Sequence, residues 1–166
     1  MPIFPVYCIA DIPIPVIETF LREAQAGSLK SAPNSAPSLA IITSPSSPPP
    51  TVASKPPLSP FTSPFLGQTV EDVSRQLDGS TCFAVLDSRS VEDGTVLLVA
   101  PGLNGSVQTV RATFESAQST LIALEIASLG FGEIQAIASS LGGVLGRGGK
   151  EPKRGGPAPR MRLGGN

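Results

Sequence analysis

The sequence predicts an α/β domain built on a mixed sheet. Three observations carry this. A strand–helix–strand pattern opens the chain between residues 3 and 43. Three short apolar runs follow between residues 81 and 114, joined by short polar turns. Helical periodicity stands before and after those runs. The expected element order is β-α-β-(insert)-α-β-β-β-α-α, an α+β mixed sheet covered by helices.

Residues Ile3 to Ala10 form the first expected strand, with Pro5 tolerated near its start or at a sheet edge. Asp11-Ile-Pro-Ile-Pro15 leads into a helix, where Pro15 suits the first turn. Val16, Ile17, Phe20, Leu21 and Ala24 share one face, and Glu18 and Arg22 are one turn apart in the favourable order. Gly27 is the expected terminator. Ser38 to Thr43 reads as a short buried strand. Thr69 is placed to cap a helix that carries Glu71 and Asp72 in its first turn and ends at Gly79. Thr81–Leu86 and Thr95–Ala100 read as strands. Pro101 to Gly105 is a turn, and Ser106–Phe114 is a third strand. Ser116 is a candidate cap for a helix to Leu129, and Glu133–Leu141 makes a last short helix.

The composition divides the chain into four stretches. Residues 1–43 and 63–141 hold the two parts of the domain. Between Ser31 and Pro64 there are ten prolines and one charged side chain, Lys55. Residues 44–62 have too little apolar surface to offset their ordering entropy, so a disordered insertion with polyproline II character is expected. Such a segment suits SH3 or WW domains, although most Pro-rich stretches are plain linkers. Residues 142–166 are Gly-rich and carry six basic residues against one acidic, a net +5. The preceding residues carry six basic and twelve acidic, a net −6. The near-neutral total of −1 therefore hides a split molecule.

There is no histidine. That removes the side chain best suited to proton transfer near neutral pH, and with it Ser-His-Asp and Cys-His chemistry within one chain. It also removes the commonest zinc ligand. Cys8 and Cys82 form no CxxC pair and read as buried small hydrophobes; a disulfide between them requires their strands to lie side by side. Nothing in the first residues resembles a signal peptide, and no apolar run reaches the ~18–20 residues that span a bilayer. No membrane association is expected, and the cytoplasm is the default location, with the nucleus as an alternative.

The strand order resembles the thioredoxin-like topology without its redox motif. The place before the third core strand, where that fold usually has a cis-proline, holds Gly79-Ser-Thr81. Residues Ser63-Pro-Phe-Leu-Gly-Gln-Thr-Val-Glu-Asp72 and Phe83 through Val99 resemble an uncharacterised domain family of fungal and bacterial proteins. The similarity extends to Thr109–Glu115 and Leu124–Glu133, and more weakly to residues 3–43. The Pro/Ser insertion and the Gly-rich end depart from that pattern. The resemblance implies a domain boundary and no activity.

The best site candidate is Asp87-Ser-Arg-Ser-Val-Glu-Asp-Gly94, read as a polar loop between two buried strands. Asp87, Glu92 and Asp93 are carboxylates that could act as acid and base or hold a hard cation, with Arg89 beside them and Arg111 as an anion-recognising partner. The simpler reading is a solvated turn in which Arg89 pairs locally, Asp93-Gly94 is a turn dipeptide and Arg111 meets Glu115. Glu125 would be of interest only if it faced inward. No nucleotide-binding glycine motif is present, and neither a cofactor nor a metal is expected. In the tail, Arg147, Arg154, Arg160 and Arg162 are candidate contacts to single-stranded RNA or to an acidic surface. The function expected first is a non-catalytic protein-interaction or structural module with an unspecified protein partner. An RNA- or acidic-surface-binding protein working through the tail comes second, and a carboxylate enzyme centred on residues 87–93 third.

Overall fold

In the computed structural model, which describes residues 2–45, 48–77 and 81–148, the chain opens with β1 (Phe4–Cys8), α1 (Ile14–Ser31) and β2 (Leu39–Ile41). After the Pro-rich stretch come α2 (Val70–Gln76), β3 (Phe83–Leu86), α3 (Ser88–Asp93), β4 (Thr95–Pro101) and β5 (Val107–Thr113). The chain continues through α4 (Phe114–Glu125), α5 (Phe131–Ser140) and β6 (Val144–Leu145). The strands form one six-stranded mixed sheet in the order β2-β1-β3-β4-β5-β6. The α/β class expected from the sequence is the architecture found.

The pairing explains how each strand is tolerated. β1 runs parallel to both β2 and β3. Pro5 therefore sits in an interior strand, not at an edge. Phe4 N–H donates to Ser38 O, and Val6 O accepts from Ile42 N–H, so the even-numbered backbone groups of β1 face β2. Pro5 faces the other side, where pairing with β3 begins only at Val6 opposite Ala84. Its missing N–H is not needed there. β3, β4 and β5 form antiparallel hairpins, and β6 returns parallel to β5. β6 lies inside the stretch expected to be a Gly-rich tail, so the domain extends past residue 141.

Strand alternation feeds two cores. Phe4, Val6, Cys8, Ala84, Leu86, Val96, Leu98, Val110 and Ala112 meet the inner faces of α1, α4 and α5. Tyr7, Phe83, Val85 and Val99 pack on the other face against Phe65 and Val73. The Tyr7 ring meets Phe65 and Phe83 edge-on, at centroid distances of 4.9 and 5.6 Å. From β1 the chain steps one strand outward to β2, then back across to β3. The helices of these two crossovers, α1 and α2, pack on opposite faces of the sheet, as right-handed connections in opposite directions require. This parallel β2-β1-β3 opening is that of doubly wound sheets, and it gives the thioredoxin-like resemblance no further support.

Several expected boundaries shift for local reasons. α1 does not end at Gly27 but runs to Ser31. Gly27 is where α4 crosses, and a Cβ built there would stand 1.9 Å from the Glu115 carbonyl oxygen. Lys30 of α1 also pairs with Glu115. α4 starts at Phe114, two residues before the expected cap at Ser116, and Glu125 at its end is exposed. Thr69 does cap α2, within a reciprocal box with Asp72, while the expected stop at Gly79 lies outside the described residues.

The segment expected to be a disordered insertion is irregular, but residues 54–61 are fastened to the sheet. Ser54 N–H donates to Leu39 O at 2.9 Å, and Ser54 Oγ accepts from Ile41 N–H at 2.9 Å, covering the outer edge of β2. Leu58 N–H donates to Glu18 Oε1 at 2.8 Å, and Leu58 and Phe61 pack on the larger core. A few well-placed contacts give this stretch a position that its average composition does not suggest. Ser46 and Ser47 lie outside the described residues.

Cys8 and Cys82 are free thiols. Their strands are neighbours, but Cys8 stands opposite Leu86, four residues beyond Cys82. That offset is about 13 Å along a strand, too far for a disulfide. Burial pushes the Cys8 thiol up to about 12.

Two outcomes follow from this packing. Alanine in place of a mid-helix glycine normally gains roughly 1 kcal/mol of helix propensity. At Gly27 the clash with α4 reverses the sign, and Gly27→Ala is expected to lower the unfolding free energy by about 2–3 kcal/mol, read by urea denaturation. In native protein, iodoacetamide is expected to label Cys82 well before Cys8, as peptide mass spectrometry would show; equal rates would mean that β1 is not buried.

Candidate functional site

The stretch from Asp87 to Gly94 is a capped helix, not the open loop expected from its sequence. Asp87 ends β3 in extended conformation, and its carboxylate accepts from the Ser90 backbone N–H at 3.1 Å. Ser90 Oγ in turn accepts from the Asp87 N–H at 3.0 Å, closing a capping box. Gly94 closes the other end in the left-handed region, at φ 65°. The Asp93-Gly94 pair read as a turn is thus a helix C-terminus. Asp and Ser in sequence favour a turn and a cap alike, which is why the pattern did not separate them.

The Asp87 carboxylate also faces β5. Arg111 Nη1 donates to Asp87 Oδ1 at 2.9 Å, and Arg111 Nη2 to Asp87 Oδ2 at 2.6 Å. This is a two-pronged pair with little solvent exposure, at 13% for the arginine side chain and 21% for the aspartate. Burial acts to raise the Asp87 carboxyl, but the Arg111 hydrogen bonds and charge, with the Ser90 bonds, outweigh it and hold the group below the usual carboxylate range. Arg111 was paired in sequence with Glu115. In the fold Glu115 belongs to Lys30, because α4 turns it away toward α1.

The remaining candidates divide into separate contacts. Arg89 Nε donates to Asp93 Oδ2 at 2.8 Å across one helical turn, and Thr95 Oγ1 donates to Asp93 Oδ1 at 2.5 Å. Arg147, just after β6, comes within 3.7 Å of Asp93. Glu92 is exposed and makes no hydrogen bond or ion pair among the described residues. Arg154, Arg160 and Arg162 lie outside the described residues. Asp87, Glu92 and Asp93 line none of the four best-formed cavities, and among the described residues no cluster of three acidic or cysteine side chains could hold a metal ion. The convergent carboxylates that a hydrolytic or proton-transfer site needs are therefore not brought together here.

The sheet itself marks another place to look. In open α/β sheets, ligands occupy the crevice at the carboxyl ends of the strands where the winding reverses. That place is the end of β1 and β3. Here the chain fills it. Ser63 Oγ donates to Cys8 O at 2.5 Å, Gly67 N–H donates to Ile9 O at 3.0 Å, and Phe65 is buried below them. Asp87 at the end of β3 is held by Arg111. No local pattern signals this closure, because Ser63-Pro-Phe65 reads as the end of a Pro-rich stretch and only its contacts with β1 give it a role.

No family model matches the chain, no curated protein matches it and no solved structure matches it. The resemblance carried by residues 63–99 accordingly assigns no role to any side chain. No helix among the described residues is long and apolar enough to cross a membrane.

The Asp87–Arg111 pair has a measurable signature. Because the folded carboxyl titrates below its unfolded value of about 3.9, its contribution is complete above that value and disappears as pH falls through the lower folded one. Asp87→Asn is expected to cost about 2–3 kcal/mol at pH 7, since it strands a half-buried guanidinium. The same substitution should flatten the acid side of the stability–pH curve below about pH 4. Urea titrations from pH 2 to 7 test both, and an unchanged acid limb would show that the pair contributes nothing.

Proposed function

We propose that the protein is a non-catalytic interaction module that presents a rigid α/β surface to a protein partner. The observation that carries this reading is the closed carboxyl end of the sheet. The crevice where this architecture places ligands holds Ser63, Phe65 and Gly67, and the partly buried Asp87 carboxylate there is committed to Arg111 and to a helix cap. A catalytic carboxylate needs a free face toward a substrate, and most of the Asp87 acceptor capacity is taken by Arg111 and Ser90.

The opposite end of the sheet supports the same reading. The β4–β5 turn exposes Leu103 at 86% of its surface. α4 starts at the carboxyl end, where Phe114 N–H donates to Gly94 O, and runs back along β4 and β5. Its last residue, Glu125, lies near enough to Cys82, ahead of β3, to help raise that thiol after burial has done so. Ile126, at 66% exposure, and Leu129 therefore emerge at the Leu103 end. Exposed large apolar side chains at one end of a fold are candidate protein contacts. The two free thiols suit the reducing cytoplasm or nucleus.

The test is affinity capture with the full chain, comparing the native protein with a Leu103→Asp, Ile126→Asp double variant of unchanged unfolding midpoint. A stoichiometric protein recovered by the first and lost by the second is the expected result. Recovery of RNA that disappears when residues 149–166 are removed, and weakens steeply with salt, would favour the nucleic-acid reading instead.

A further inference from the structure

A second feature lies on the outer side of α1, away from the sheet end just described. A cavity of about 270 Å³ opens between α1, the start of β2 and the fastened strap at Ser54-Lys55-Pro56. Leu21 and Leu39, both buried, form its floor, and Ala26 and Leu29 form a wall open to solvent.

Its polar groups sort by whether they are already engaged. Gln118, 1% exposed, accepts from Ser38 N–H at 3.1 Å and donates to Gln25 Oε1 and Ala36 O, each at 3.0 Å. Gln25 in turn donates to Ser35 O at 2.7 Å. Both amides are committed to protein partners, so the interior of the cavity offers an occupant little but apolar contact. The charged side chains of its lining are both cations. Arg22 comes from α1 and Lys55 from the strap. Among the described residues Lys55 has no ion pair. Arg22 reaches Glu18 only at 3.7 Å, and Glu18 is held by the Leu58 N–H at 2.8 Å.

We infer that this cavity binds a small amphipathic carboxylate, a saturated chain of medium length whose apolar body lies over Leu21 and Leu39 while its anionic end meets Lys55 and Arg22. The apolar floor supplies affinity through burial, and two rim cations with weak or no internal partners supply the preference for an anion. An alkyl cation would meet like charge at the rim. A neutral chain of the same length would lose the head-group contacts and keep the rest. The inference is independent of the proposed partner surface, which uses different residues at another part of the molecule.

Decanoate, decanol and decyltrimethylammonium, each below its micelle-forming concentration, test this by calorimetry and methyl NMR on the full chain. Decanoate is expected to bind with shifts centred on the Leu21 and Leu39 methyls. Decanol is expected to bind at least about tenfold more weakly, since it loses the charge-assisted contacts to Lys55 and Arg22. Lys55→Glu with Arg22→Glu should remove the preference for decanoate. Ala26→Trp, which fills the exposed wall, should abolish binding of all three, with the unfolding midpoint confirming that each variant folds. The proposal is overturned if decanol or the alkyl cation matches decanoate, if decanoate binding survives Ala26→Trp, or if no binding occurs at millimolar concentration. It is also overturned if sedimentation finds a dimer that Ala26→Trp converts to monomer, since a second copy of the chain would then be the occupant.

Discussion

The crossing of α1 over α4 at Gly27 holds the two halves of this chain together. α1 belongs to the opening β1-α1-β2 unit, and α4 follows the β3-β4-β5 hairpins. Only the absence of a side chain at Gly27 lets the Glu115 backbone approach so closely. The contact lets both helices lie flat on the same sheet face, where Phe20 and Phe114 meet at 5.1 Å between ring centres. A larger residue would lift one helix off the strands and expose the interior that Leu86, Leu98 and Leu121 fill.

Below that crossing lies a polar knot. The Gln118 side chain joins α4 to the turn before β2, while Gln25 ties α1 to the same turn through Ser35. Ser28 and Ser35 share a hydrogen bond of 2.6 Å. A buried amide without partners costs more than it returns, so the network is stabilising only as a complete set. Its effect is specificity. It sets where the chain leaves α1 and enters β2, and so the register of Phe4 opposite Leu39. Ser38 Oγ is buried without a hydrogen-bond partner among the described residues, and the network does not reach it.

The acidic stretch after β3 illustrates how context converts a candidate site into structure. Asp87, Arg89, Glu92 and Asp93 lie within seven residues of one another in sequence. A short helix separates them in space. It directs Asp87 inward to Arg111, leaves Glu92 in water and turns Asp93 toward Arg89, Thr95 and Arg147. Adjacency in sequence does not carry over to shared geometry here, because convergence of side chains depends on backbone direction and not on spacing alone. The partner of Arg111 lay twenty-four residues away and could not be read from local pattern.

Periodicity in the residues determined the mixed α/β class, the apolar faces of α1 and α2, the Thr69 cap and the hairpin strands. These depend on interactions within a few residues, which a linear pattern encodes directly. Composition alone excluded histidine chemistry within the chain. Only the tertiary structure decided that Gly27 continues a helix, that Pro5 fits an interior strand, that Ser54 covers the β2 edge and that Ser63 to Gly67 close the carboxyl end of β1. Each of these turns on a neighbour distant along the chain. The physical reason is the same in every case: a residue's tolerance for its position is set by the atoms packed against it, and those come from elsewhere in the fold.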